Sequence, residues 1–203
     1  METIEFEHPV ARSILTELRN AGTGQDDFRK LTHRLGLLLA VEATRNLVSS
    51  PASVETPMEM TYGEVIRDNP VILPVLRAGL GLLPAFQELL PEAPVDFAAL
   101  KRDEHTGEAR WLYGSSQNLS GMDVIILDPM LATAGTAISV IENVRERGGE
   151  SITLVSVVAA PEGIHRLEEY QDLTLITVSV DRELDGNWFI LPGLGDYGDR
   201  LFQ

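Results

Sequence analysis

Residues 124–147 read VIILDPMLATAGTAISVIENVRER, and how that stretch divides decides the fold. Val124–Leu127 is an apolar, largely β-branched run without polar interruption, the pattern of a parallel strand buried on both faces. Asp128 stands where such a strand ends. Thr133, Ala134, Gly135 and Thr136 are small enough for backbone N–H groups to approach an anion. Ile138, Ile141 and Val144 then keep helical spacing until Gly148-Gly149 stops it. An anion at that helix N-terminus is favoured by the macrodipole and the unpaired amides. The spacing predicts strand, anion loop and helix in succession.

Working outward, residues 71–76 form a second buried strand, followed by Arg77-Ala78-Gly79 and a helix over 80–90 stopped by Pro91. An arginine at the carboxyl end of a buried strand wants a partner, and open α/β sheets place ligands outside those strand ends, so Arg77 converges on the Asp128 loop. Further strands are predicted at 96–100, 110–113, 151–160 and 173–180, with a short helix at 161–170. On the N-terminal side, Val10, Ile14, Leu15 and Leu18 share one face of a helix over 9–19. Phe28, Leu31, Leu35, Leu38 and Leu39 mark a long helix reaching about Val48. Residues 51–57 read as a loop and 59–62 as a short strand. The alternation of strands and helices from residue 71 onward predicts βαβ units with right-handed crossovers in a mainly parallel sheet. Residues 188–200 mix glycine and proline with apolar and acidic side chains, the composition of an ordered loop that closes a site.

Bulk properties bound the function. The 203 residues suit one domain, and 44% hydrophobic residues fit a globular α/β protein. No apolar run is long enough to span a bilayer, and residues 1–8 alternate acidic and apolar side chains instead of forming a basic-then-apolar leader. A cytoplasmic protein without membrane contact is expected. The absence of cysteine excludes disulfides and thiolate metal sites, and the four histidines, at 8, 33, 105 and 165, are too scattered for a zinc site. A formal net charge of −15 repels polyanions, which argues against nucleic acid as a partner and requires any phosphate site to be locally basic. Lys30 and Lys101 are the only lysines. An acidic, lysine-poor surface fits a salt-rich cytoplasm and, equally, a compositional bias of lineage; loss of activity in molar KCl would count against the former. Neither common nucleotide loop is present: there is no G-x-x-x-x-G-K-[ST], and Gly79-Leu80-Gly81 lacks the third glycine of a dinucleotide fingerprint.

The string Asp128-Pro129-Met130-Leu131-Ala132-Thr133-Ala134-Gly135-Thr136 resembles the PRPP-binding motif of uracil phosphoribosyltransferases, in which proline replaces the second acidic residue of the wider phosphoribosyltransferase signature. Leu76-Arg77-Ala78-Gly79-Leu80-Gly81 resembles the family's pyrophosphate loop and residues 188–200 its uracil loop, with residues 158–163 and 191–199 together as a further matching cluster. The resemblance runs from His8-Pro9 to Phe202 in the family's order. It implies a type I phosphoribosyltransferase fold: one α/β domain over residues 1–203, a mainly parallel twisted sheet flanked by helices. N-terminal helices would occupy 9–48, the core 71–180, and a uracil-binding hood 186–203, with a flexible β-hairpin flap over the site. The implied reaction joins uracil to PRPP, giving UMP and pyrophosphate, with Mg²⁺ carried by PRPP and water rather than by protein ligands.

The resemblance also implies roles. Arg77 and Arg102, the latter on the flap, would hold the pyrophosphate; Asp128 would meet the ribose hydroxyls; and Ala132, Thr133, Ala134, Gly135 and Thr136 would hold the 5′-phosphate, with Pro129, Met130 and Leu131 completing the PRPP site. Asp196 would reach PRPP through the metal's waters and is the one candidate for a general base. Backbone groups around Ile190, Gly195, Asp196 and Tyr197 would read uracil. A homodimer or homotetramer is expected, with the helix from Phe28 serving either an interface or the core, and GTP is an activator among relatives. A phosphoribosyltransferase-fold regulator that binds PRPP or nucleotide without turnover is the alternative, and the same chemistry on another base is a third reading. Three positions depart from the family pattern. Lys101 replaces an aromatic residue and Tyr197 stands where many relatives have alanine. Ala134 stands where a glycine is expected, and a negative φ is predicted there because a left-handed alanine costs roughly 1–2 kcal/mol.

Overall fold

The computed structural model describes residues 1–102 and 109–203, with the main chain alone at residues 102 and 109. Strand β1 (Glu2–Glu5) precedes helices α1 (Pro9–Arg19) and α2 (Gln25–Ala43). An antiparallel hairpin, β2 (Ser49–Glu55) and β3 (Met60–Ile66), leads to β4 (Val71–Leu76), a 3₁₀ turn (Ala78–Gly81) and α3 (Leu83–Leu89). The chain continues through β5 (Ala98–Arg102), β6 (Ala109–Gly114), β7 (Val124–Leu127), β8 (Met130–Leu131), α4 (Gly135–Glu146), β9 (Ile152–Ala159), α5 (Pro161–Leu167) and β10 (Leu173–Val180). It ends with a small ribbon, β11 (Glu183–Leu184) and β12 (Ile190–Leu191), and α6 (Tyr197–Phe202).

The central sheet runs β1-β10-β9-β7-β4-β5-β6, with β8 added beside β9. Every pairing in it is parallel except β5 with β6. The apolar strands sort their side chains to two faces, as the period of two requires. Ile72, Ile125 and Leu127 point to the layer made by α1, α2, α3 and the C-terminal segment. Val71, Leu73, Val124 and Ile126 point to the layer containing α4. The expectation of a mainly parallel sheet flanked by helices holds, and strand 173–180 and helix 9–19 are reproduced at both ends.

Other boundaries differ for local reasons. α2 ends at Ala43, not near Val48, because the Thr44 hydroxyl donates back to the Ala40 carbonyl and its N–H makes the last helical bonds. The helix expected over 80–90 is divided: a 3₁₀ turn comes first, and the α-helical part starts at Leu83 with Pro84 in its first turn, where the missing N–H costs nothing. Residues 51–57, expected as a loop, belong largely to β2, and the strand expected at 59–62 extends to Ile66. β1 also escapes the sequence reading, being an edge strand that carries acidic side chains. The apolar side chains of α2 serve the core of this chain: Phe28, Leu35 and Leu39 are fully buried within it.

Candidate active site

β4 and β7 are neighbours whose carboxyl ends deliver Arg77 and Asp128 to one edge of the sheet. Between them lies a cavity of about 250 Å³, lined by residues 75–78, 100, 128 and 130–137. Thus Arg77, Asp128, Met130, Leu131, Ala132, Thr133, Ala134, Gly135 and Thr136 come together as expected; Pro129 does not line the cavity. The Leu76–Arg77 peptide is cis. Gly79 is required by close approach, since a Cβ there would sit 2.3 Å from the Leu127 carbonyl oxygen at the end of β7.

The anion loop is held from behind. Ala160 N–H donates to the Leu131 carbonyl at 2.8 Å, and Arg166 of α5 donates to the Thr133 carbonyl at 2.6 Å. Gly163 lies so close that an added Cβ would be 2.2 Å from the Ala132 carbonyl oxygen. Ala134, the residue preceding α4, has φ 61° and ψ 2°. The negative φ predicted there is wrong. The chain has three residues in which to turn from β8 into α4. A left-handed residue followed by a helical one makes that turn and aims successive N–H groups to one side, the geometry of an anion nest. The Ala134 side chain is buried in the core on the α4 side, which offsets part of the conformational cost.

Arg77 finds its partner in the C-terminal segment, donating to Asp199 Oδ1 at 3.0 Å. Asp199 belongs to α6, and Asp196 precedes that helix, accepting from the Asp199 N–H at 2.8 Å. Asp196 is not among the residues lining the cavity, but it is close to Arg77: a Cβ on Gly198 would stand 3.4 Å from Asp196 Oδ1 and 3.9 Å from Arg77 Nη2. Ile190 and Tyr197 are buried, so their side chains face the core. The Tyr197 ring packs edge-on to Phe28 and its hydroxyl pairs with Thr32 Oγ1 at 2.9 Å; burial pushes the phenol's pKa up and keeps it neutral. Only main-chain groups of these residues are available to a ligand, which fits a backbone reading of the base. The main chain of Arg102 ends β5 and pairs with Ala109 of β6; its side chain, and the flap tip over 103–108, lie outside the described residues.

Four residues with a structural part here were not singled out in the sequence: Asp199, paired with Arg77, Arg166, bonded to the Thr133 carbonyl, and Arg19 and Asp181, which pair with each other and with the main chain of Gly193. Asp181 offered a signal. It directly follows the apolar run 173–180, the same strand-end position that draws attention to Arg77 and Asp128.

Residues 5–203 match the family model described as Uracil phosphoribosyltransferase. A uracil phosphoribosyltransferase of Fervidobacterium nodosum is 43% identical over 200 residues, covering 97% of each chain. One of Salinibacter ruber is 41% identical, covering 97% of this chain and 94% of its own. Among solved structures, a protein from Aquifex aeolicus superposes with a TM-score of 0.94 at 33% identity, covering 98% of this chain and 97% of the other. A hypoxanthine-guanine phosphoribosyltransferase from Bacillus anthracis shares the fold, with a TM-score of 0.54 at 14% identity over 77% of this chain and 80% of that one.

Proposed function

The chain belongs to the uracil phosphoribosyltransferase family, and from that premise we propose that it is a pentosyltransferase that joins uracil to PRPP, giving UMP and pyrophosphate. The observation that carries this reading is the convergence of Arg77, Asp128 and the anion loop at residues 132–136 on one cavity at the carboxyl edge of the sheet. The bond from the ribose anomeric carbon to pyrophosphate breaks, and a bond from that carbon to the ring nitrogen of uracil forms. The carbon becomes cation-like between these events, so catalysis consists of holding two reactants in line and stabilising the leaving charge.

Arg77 suits the pyrophosphate because its planar fork meets two oxygens at once, and Arg102 on the flap is assigned the same task. In this reading PRPP displaces Asp199 from Arg77, so the ion pair holds the arginine extended until substrate arrives. Asp128 accepts from the ribose hydroxyls, and the amides and hydroxyls of residues 132–136, with Pro129 supporting the turn, take the 5′-phosphate. Uracil presents acceptor, donor and acceptor along one edge, which backbone groups at Ile190, Gly195, Asp196 and Tyr197 read; a buried polar site left half-paired rejects cytosine by about 10⁴-fold or more. Asp196 spends Oδ1 on the Asp199 amide, leaving Oδ2 for PRPP through water.

Mg²⁺ fits this donor set. Among the described residues no group of three or more His, Asp or Glu side chains could hold a metal, while a hard ion that keeps its waters needs only substrate oxygens and bound water, which Asp196 would meet from the protein side. The ion would neutralise charge on the leaving pyrophosphate.

The expected oligomer is assigned to the β2–β3 hairpin as a homodimer contact. A lone two-stranded hairpin is marginal in water, and this one exposes Val54, Met58, Met60, Tyr62, Val65 and Ile66. Replacing Met60 and Tyr62 with serine should convert a dimer to monomer in sedimentation; an unchanged mass removes this assignment. Among the described residues no helix is long and apolar enough to cross a membrane, which together with small polar substrates supports a cytoplasmic location.

The deciding experiment measures UMP formation from PRPP and uracil with Mg²⁺, beside orotate, cytosine, hypoxanthine and adenine, with Arg102→Ala in parallel and GTP added to one arm as a test of activation. Turnover of uracil alone, reduced by the substitution, is expected. PRPP binding without turnover of any base would replace the enzyme with a regulator.

A further inference from the structure

We infer that Arg19 and Asp181 are positioning residues for the base, gripping the N–H and the C=O of Gly193 and so fixing the loop that reads uracil. This rests on the reading of residues 190–197 as the base loop.

Neither residue lines the cavity between Arg77 and Asp128. Asp181 follows β10, and its side chain is 1% exposed. Its Oδ2 accepts from the Gly193 N–H at 2.9 Å and from Arg19 Nη1 at 2.8 Å. The same Nη1 donates to the Gly193 carbonyl at 2.8 Å. Arg19 Nη2 completes the fork with Asp181 Oδ1 at 2.5 Å and Ser179 Oγ at 3.2 Å.

An ion pair whose task was only to dock α1 on β10 would be complete with Arg19, Asp181 and Ser179. The two bonds to Gly193 add nothing to that docking; they fasten the chain between Leu191 and Asp196. Gly193 has φ +60°, and an added Cβ would stand 2.2 Å from the Ile190 carbonyl oxygen, so the position of Gly193 also sets that of Ile190. Two residues further on lies Gly195, with φ +82°. Another hold on this loop also comes from an arginine: Arg200 donates to the Leu194 carbonyl at 2.8 Å and to the Leu18 carbonyl beside Arg19. A displacement of Gly193 therefore moves the proposed reading groups on both sides of it, while the phosphate loop is untouched.

The test is steady-state kinetics of the full-length enzyme carrying Arg19→Lys or Asp181→Asn. Lysine keeps the charge, but its ammonium ends one bond short of Nη1, the one nitrogen that reaches both Asp181 Oδ2 and the Gly193 carbonyl, so the uracil KM should rise about 3–10-fold. Asp181→Asn should raise it about 10–100-fold. In both, kcat and the PRPP KM should stay within about twofold of wild type. Arg19→Lys carries the test even where Asp181→Asn fails to fold. A parallel rise of the PRPP KM, or an unchanged uracil KM, would overturn the grip. Gly195→Ala separates the two levels: if it raises the uracil KM and Arg19→Lys does not, the grip alone is wrong; if neither does, the assignment of the base loop falls with it.

Discussion

The anion loop at residues 132–136 and the loop at residues 191–196 are held in different ways. The first is framed by its own neighbours in the chain, β7 and β8 before it and α4 after it, with α5 braced behind from about 30 residues away. The second is held by Arg19, 174 positions from Gly193, by Thr32, 165 positions from Tyr197, and by Arg200 reaching back to Leu18. The difference follows from what each end of the cleft has to recognise. A phosphate can be met by consecutive amides at a helix N-terminus, which one short segment supplies. A planar base read along one edge needs donors and acceptors at fixed separations, and a loop rich in glycine holds them only when other elements fix it.

The largest effect that would break this contrast is expected at Asp181. Asp181→Ala leaves Arg19 without its buried partner and should cost about 3–5 kcal/mol, a fall in Tm of roughly 10 °C for a chain of this size. The wild-type protein should show the same weakness in acid. Burial alone would push the Asp181 carboxyl up, but hydrogen bonds from Arg19, the Gly193 N–H and Ser179, with the Arg19 charge, outweigh it and hold the group below its ordinary value of 3.8. A carboxyl depressed on folding contributes stability that is fully present above its unfolded value and lost as pH falls through the folded one. Thermal melts should therefore steepen in their decline below pH about 4, and Asp181→Asn should flatten that decline. An Asp181→Ala protein that melts like wild type would mean the base loop is held locally after all.

At the other end of the cleft, Gly163→Ala should act on PRPP alone. Its methyl would meet the Ala132 carbonyl oxygen at 2.2 Å, so either α5 or the anion loop has to move. A misplacement on the order of 1 Å can cost 10²-fold, and a PRPP KM raised about 10–100-fold with little change for uracil is expected. A matching rise in the uracil KM would show that the two loops are mechanically coupled, and the contrast would have to be redrawn.

Legibility in the sequence followed the same division. β4 and β7 are continuous apolar runs, and β9 and β10 are interrupted only by serine and threonine, because both faces of the sheet are covered, so their pattern needs no partner to be read. Asp128 and Arg77 were legible because a polar residue ending such a run has no core to enter. β1 and β2 were not, since an edge strand carrying Glu2 and Glu5, and a ribbon containing Pro51, have no buried face to write a period into the sequence. Arg19 sits at the last position of an amphipathic helix, where an arginine is ordinarily a solvated end. Nothing within its own segment points to Gly193. Arg77 was expected to want a partner, but that the partner is Asp199 depends on how α6 folds back onto the 3₁₀ turn that follows β4, a long-range fact.

Ala134 is the point where reading by neighbours failed inside the most legible segment, and it yields the smallest predicted effect. A left-handed alanine costs roughly 1–2 kcal/mol relative to the ordinary region. Glycine would relieve that, but it adds roughly 0.5–1 kcal/mol of backbone entropy to the cost of folding and gives up a buried methyl worth about 0.8 kcal/mol. The terms nearly cancel. Ala134→Gly should therefore leave stability within about 1 kcal/mol of wild type and the PRPP KM within about twofold, read by thermal melts and steady-state kinetics. Such near-neutrality would mean that the turn from β8 into α4, not the residue occupying it, fixes the backbone there, so that alanine and glycine are interchangeable and the presence of alanine is no guide to a negative φ. A gain of several kcal/mol would show instead that the strain at Ala134 is uncompensated, and that the phosphate end, like the base end, depends on distant contacts to hold a conformation its own residues resist.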